Sequence, residues 1–122
     1  MPISQLIWLF FSPSGRLGRA PYFLAFMLAS LVPAFFLYRF LLLPQGGSGS
    51  QMWEGLFGIA FLATIWANGA LGIKRLHDVG QPAIYAISLF IPVISIVAFV
   101  ALCLFPGDPG PNKYGPHTNA PK

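Results

Sequence analysis

The sequence predicts an all-α integral membrane protein: three transmembrane helices, a short N-terminal interfacial helix and an irregular C-terminal tail, all in one domain. Three observations carry this expectation. Apolar residues make up 56% of the chain and charged residues only 8%, whereas a soluble domain carries roughly 25% charged residues. The mean hydropathy is +0.69. The apolar residues also come in long blocks, at residues 22–43, 52–73 and 83–105, without the short periods that pattern a water-facing fold.

The chain starts with a short apolar run from Leu6 to Phe11. Six apolar residues cannot span a bilayer, and no basic segment precedes them as in a signal peptide. Trp8 and its phenylalanine neighbours suit the headgroup boundary, so residues 4–12 are read as an interfacial helix ending near Pro13. Arg16 and Arg19 precede the first long block, residues 22–43. At 1.5 Å per residue this block reaches roughly 33 Å, enough to cross a core of about 30 Å. Pro21 stands at its start, where a missing N–H costs a helix nothing. Pro33 lies inside it, and Arg39 near its far end can snorkel to water. The segment PQGGSGSQ (44–51) reads as a flexible polar link.

The second block, residues 52–73, starts at Trp53 and Glu54 and ends at Lys74 and Arg75. Ala60, Ala63, Ala67 and Ala70 recur at helical spacing, which predicts a face of small side chains where another helix approaches closely. Asn68 is expected to form an interhelical hydrogen bond rather than line a path. Gly80 closes the turn after this block, and Pro82 opens the third, residues 83–105. Pro92 divides that block into pieces too short to cross alone. It either crosses once with a kink or dips in and returns as a re-entrant hairpin. A re-entrant backbone needs protein or water around it, so one kinked crossing is the expectation. Residues 106–122, rich in Pro, Gly and Asn, read as a water-exposed extended tail.

Several functions are disfavoured on composition. The net charge is +4, but the seven cations are scattered and form no basic stripe, so nucleic acid is not an expected partner. The single cysteine, Cys103, forms no intrachain disulfide and reads as a small buried apolar residue. No apolar block carries an ionisable residue near its centre, where proton-coupled transporters and pumps place one.

Three polar motifs remain: GRLGR (15–19), KRLHD (74–78) and GDPGPNKYGP (107–116). In this order they resemble the bacterial membrane-protein family known as "domain of unknown function 805". The resemblance rests on Gly15, Arg16, Arg19 and Tyr22, then on Arg75, Leu76, His77 and Asp78. It ends with Gly107, Gly110, Asn112, Tyr114, Gly115 and Pro116. Phe23 stands where the family usually has Trp, and Pro82-Ala83 replace a common Ser-Gly. The resemblance implies a multi-pass architecture in a bacterial inner membrane and supplies no substrate.

His77 beside Asp78 invites acid–base chemistry or a metal site with Asp108 and His117. Adjacent helical residues point about 100° apart, however, so His77 and Asp78 do not form a natural dyad. No His-x-x-x-His pair or known nucleophile signature accompanies them. The preferred reading is a polar cap at the lipid–water boundary built from Arg16, Arg19, Lys74, Arg75, His77 and Asp78. In it Asp78 pairs with Arg75 or with Arg16 or Arg19, and Asn112, Tyr114 and Gly115 form a separate tail motif. No catalytic residue, cofactor or metal is expected. The expected function is a non-enzymatic binding or accessory role in a membrane assembly. Its partners would be membrane lipids and another membrane protein or a second copy of the chain. The alternatives are a small oligomeric transporter or channel, and a lipid-headgroup enzyme using His77 and Asp78. Arg16, Arg19, Lys74 and Arg75 place the N-terminus and residues 74–80 in the cytoplasm.

Overall fold

The computed structural model describes residues 2–43 and 49–121, so most of the expected 44–51 link lies outside the described residues. Four α-helices and one 3₁₀ helix follow one another: α1 (Ile3–Phe11), α2 (Arg19–Leu41), α3 (Ser50–Asp78), a 3₁₀ helix (Ala83–Phe90) and α4 (Ile94–Leu104). Strand-like pairing among the described residues is limited to two isolated bridges, Arg16–Ala120 and Asn112–Gly115.

α2 and α3 form an antiparallel pair, and both are long and apolar enough to cross a membrane. Their 23 and 29 residues correspond to about 35 and 44 Å. Only 17% and 28% of their most apolar stretches are buried inside the protein, whereas a core helix of a soluble domain is mostly covered. Leu31, Ile59 and Leu62 are 63%, 70% and 68% exposed. Small side chains let the two backbones approach. Ala25, Ala29 and Pro33 of α2 are buried, as are Ala60, Ala67 and Ala70 of α3. Ala63 departs from the expected stripe: it is exposed and lines an apolar groove with Phe10 and Phe11 of α1. α2 continues through Pro33, whose ring leaves the Ala29 carbonyl without its usual helical donor. The Thr64 hydroxyl lies 3.5 Å from that oxygen and donates to Ala60 O at 2.8 Å. At the far end Trp53 packs against Phe36 and under Arg39.

The helix of the second block does not end at Ile73. α3 runs on through Lys74, Arg75, Leu76, His77 and Asp78 and ends only at Val79. Gly80 then takes a φ of 80°, the left-handed conformation in which glycine closes a helix. The reason lies in length: α3 exceeds an apolar core of about 30 Å, so its last turns need not be apolar to remain helical.

The third block is not one continuous helix but two pieces separated at Pro92. Pro92 bars helical backbone at the residue before it, and Ile91 is extended, which ends the 3₁₀ helix at Phe90. Val93 has a φ of 70°, a rare conformation for a β-branched residue, and α4 starts at the next residue. Eight residues of 3₁₀ helix and eleven of α-helix are each about 16 Å long. Two pieces of equal length fold back on each other. The block therefore starts and finishes beside the end of α3, with Gln81 N–H on Leu76 O at its start and Arg75 Nε on Leu102 O at its finish.

The tail is also not a free extended segment. Residues 106–121 are irregular and mostly at the surface, but they are bonded to GRLGR and to the end of α3. Their Pro and Gly content reads as disorder only when no partner for their backbone groups is in view.

Candidate functional site

Three segments far apart in sequence meet at the end of α3: residues 15–19, residues 74–78 and the tail. Lys74 and Arg75 occupy the last turns of α3, where adjacent side chains diverge by about 100°. They therefore reach different neighbours. The Lys74 ammonium donates to the carbonyls of Trp8 and Leu9 in the last turn of α1, and it lies 4.3 Å from the Trp8 ring centre. Trp66 Nε1 donates to Phe11 O of the same helix end at 2.8 Å. Arg75 reaches the end of α4, donating to Leu102 O at 2.7 Å and to Phe105 O. Arg19 donates to Leu104 O at 3.0 Å. Both short helices thus have carbonyls of their last turns, most of which lack intrahelical partners, met by side chains from α2 and α3.

Asp78 is the node. Its Oδ1 accepts from Arg16 Nε at 3.1 Å and its Oδ2 from Arg75 Nη1 at 2.8 Å. Arg16 also donates to the tail carbonyls of Asp108 (2.8 Å), Gly110 (2.8 Å) and Gly115 (3.2 Å). Arg16, Lys74 and Arg75 are at most 1% exposed, and Asp78 is 3% exposed. Buried charges are tolerated only when paired and hydrogen-bonded, and the carbonyls supply what one carboxylate cannot. The charges of this polar cap are buried and form the polar interior of the fold.

The tail motif joins the same cluster. Asn112 Nδ2 donates to His77 O at 2.9 Å and to Asp108 Oδ2 at 2.8 Å, while Asn112 and Gly115 exchange backbone hydrogen bonds. The Tyr114 ring stacks on His77 with centres 4.0 Å apart and planes 4° apart. His77 Nδ1 lies 3.0 Å from Gly15 O. Asp78 O accepts from Asp108 N. A Cβ added at Gly107 would lie 1.9 Å from Asp78 Oδ2, so only glycine permits this approach.

The six expected cap residues are thus in one neighbourhood, and the tail residues Asn112, Tyr114 and Gly115 belong with them. Of the expected partners for Asp78, Arg16 and Arg75 are bound, while Arg19 is exposed and turned to α4. Sequence reasoning missed Trp8, Gly107 and Asn119, whose Oδ1 accepts from Gly18 N at 2.7 Å. It also missed the backbone carbonyls that surround the arginines. Carbonyls carry no side-chain signature, so no motif exposes them; the excess of cations over carboxylates was the available hint. Among the described residues no three His, Cys, Asp or Glu side chains converge as metal ligands.

No curated protein and no solved structure matches the chain. A family model described as "Protein of unknown function (DUF805)" matches residues 10–116. That span contains all three polar motifs of the cluster, and by this match the chain belongs to the DUF805 family.

Proposed function

We propose that the protein is a multi-pass component of a bacterial inner membrane, with a non-enzymatic binding or accessory role in a larger assembly. α2 and α3 cross the bilayer, and the 83–105 hairpin enters and leaves from one face. The observation that carries the reading is the saturation of the charge cluster. Both oxygens of Asp78 are held by arginines, and each of those arginines makes several further hydrogen bonds to backbone carbonyls. Asp78 is thereby withdrawn from service as a general base for His77, which itself is stacked under Tyr114. A cluster of this kind organises the fold and leaves partner binding to its rim, where Arg19 is exposed.

The hairpin also sharpens the charge asymmetry that supports a cytoplasmic cluster. Arg16, Arg19, Lys74, Arg75 and Lys113 lie at one end of the α2–α3 pair, and Arg39 lies at the other. An excess of cations marks the cytoplasmic side.

Purification of the full chain in a mild detergent, with identification of co-purifying proteins and lipids, tests the functional reading. A stoichiometric membrane-protein partner is the expected result. A closed homo-oligomer that conducts ions or solutes when reconstituted would replace it with the channel or transporter alternative.

A further inference from the structure

α2, α3 and the tip of the hairpin enclose a second feature, remote from the charge cluster. A cavity of about 400 Å³ lies there, lined by Phe26 and Ser30 of α2, Phe61, Thr64 and Asn68 of α3, and Phe90 of the hairpin. Asn68 lies ten residues before Asp78, so it sits about 15 Å along α3 from the cluster, the depth that a hairpin of about 16 Å reaches. Phe90 packs beside Gly69 at that level.

The amide of Asn68 does not form the interhelical hydrogen bond expected of it. Its Oδ1 is fully enclosed and has no hydrogen-bond partner among the described residues. A polar group in such surroundings is normally satisfied, and an exception calls for an explanation. The neighbouring polar group is already committed, because the Thr64 hydroxyl donates to Ala60 O. Apart from the Ser30 hydroxyl the rest of the lining is aromatic or aliphatic, and Phe61 and Phe90 at the rim are exposed on the apolar outer surface. A cavity of several hundred Å³ with an apolar wall and few polar groups is the usual form of a small-molecule site.

We infer that this cavity binds a neutral, lipid-soluble ring compound bearing carbonyl or hydroxyl groups, the quinone–quinol class, with the Asn68 amide as its polar anchor. Three phenylalanine rings offer faces and edges to a planar body. An amide supplies both a donor for a carbonyl and an acceptor for a hydroxyl, so either oxidation state of such a ring finds a partner. A charged headgroup has no counter-ion among the lining residues, and the cavity opens towards lipid through its exposed rim. The inference goes beyond the accessory role proposed above and stands on different residues.

The test uses the full-length protein in detergent with tetramethyl-1,4-benzoquinone, and with tetramethylbenzene as the same ring without carbonyls. Retention is measured by equilibrium dialysis for the wild type, Asn68→Leu and Ser30→Leu in identical micelles. The quinone should bind the wild type roughly 10-fold more tightly than Asn68→Leu, the scale of one hydrogen bond. Tetramethylbenzene should not distinguish these two proteins. Ser30→Leu, which fills the cavity without touching the amide, should lose both ligands. Without ligand, Asn68→Leu should melt no lower than the wild type, since no protein hydrogen bond is removed. Equal quinone retention by wild type and Asn68→Leu overturns the proposal. So does a lowered melting point or loss of accumulation in Asn68→Leu, which would make Asn68 structural. If monoolein shows the Asn68-dependent binding in place of the quinone, the site takes a glycerolipid carbonyl and the ring assignment fails.

Discussion

At the scale of single residues, Asp78 decides most. It is the one carboxylate between two buried guanidinium groups, so its loss leaves two like charges in a low-dielectric interior. Breaking a buried pair by removing one partner costs about 3–5 kcal/mol. Asp78→Asn is expected to lose stability on that scale, read as melting in detergent and as membrane abundance. Arg16→Met should be similarly damaging, and the double variant should lose little more than either single one, because both changes remove the same contact. Arg19→Met, which leaves Asp78 untouched, should add its small effect independently. Full additivity between Arg16 and Asp78 would contradict the shared network. The sequence displayed these charged residues and their order. It did not display their burial, because charged side chains are mostly exposed and the covering tail reads as solvent-loving.

At the scale of elements, neighbouring cations hold different short helices. α1 and α4 have 9 and 11 residues, and isolated helices of this length are marginal in water. Their ends are tied down by Lys74 on one side and by Arg75 and Arg19 on the other. Lys74→Met should therefore speed amide hydrogen exchange in α1 and leave α4 protected. Arg75→Met should expose α4 and also weaken the Asp78 node. Equal effects on both helices would show that the two cations do not act separately. The α2–α3 contact makes a second test at this scale. Ala67→Leu forces a larger side chain between packed backbones and should cost about 1–3 kcal/mol. Ala63→Leu, at an exposed position, should stay within about 0.5 kcal/mol. The reverse order would mean that α3 is rotated about its axis. The alanine spacing was legible in the sequence. Which of the four alanines faces α2 was not, because a stripe at steps of three and four spans more of the helix circumference than one partner covers.

For the whole molecule, the hairpin decides the topology. With both ends of the 83–105 block at the α3 end, the tail lies on the same side as the N-terminal segment. Gln51 is at the opposite end of α3, and both Gln51 and Thr118 are exposed. In a Cys103→Ser background, Gln51→Cys should react with an impermeant thiol reagent added outside intact cells, and Thr118→Cys only after the membrane is opened. Reaction of both from outside would restore the single crossing. The sequence left two readings of this block, one kinked crossing and a re-entrant hairpin, and the need of re-entrant backbone for protein or water around it favoured the crossing. The structure sides with the return, because Arg75 draws the carbonyls at the end of α4 back to its own level.

The sequence by itself determined the helical class, the apolar blocks that become α2 and α3, and the family to which the chain belongs. These follow from composition, block length and motif order, which are local properties of the chain. Only the tertiary structure decided that KRLHD is the buried end of a helix, that the third block turns back at Pro92, and that the tail closes over Arg16. Each of these depends on where backbone carbonyls lie in space. A buried arginine selects its acceptors by distance and direction, and neither is written in the spacing of side chains along the chain.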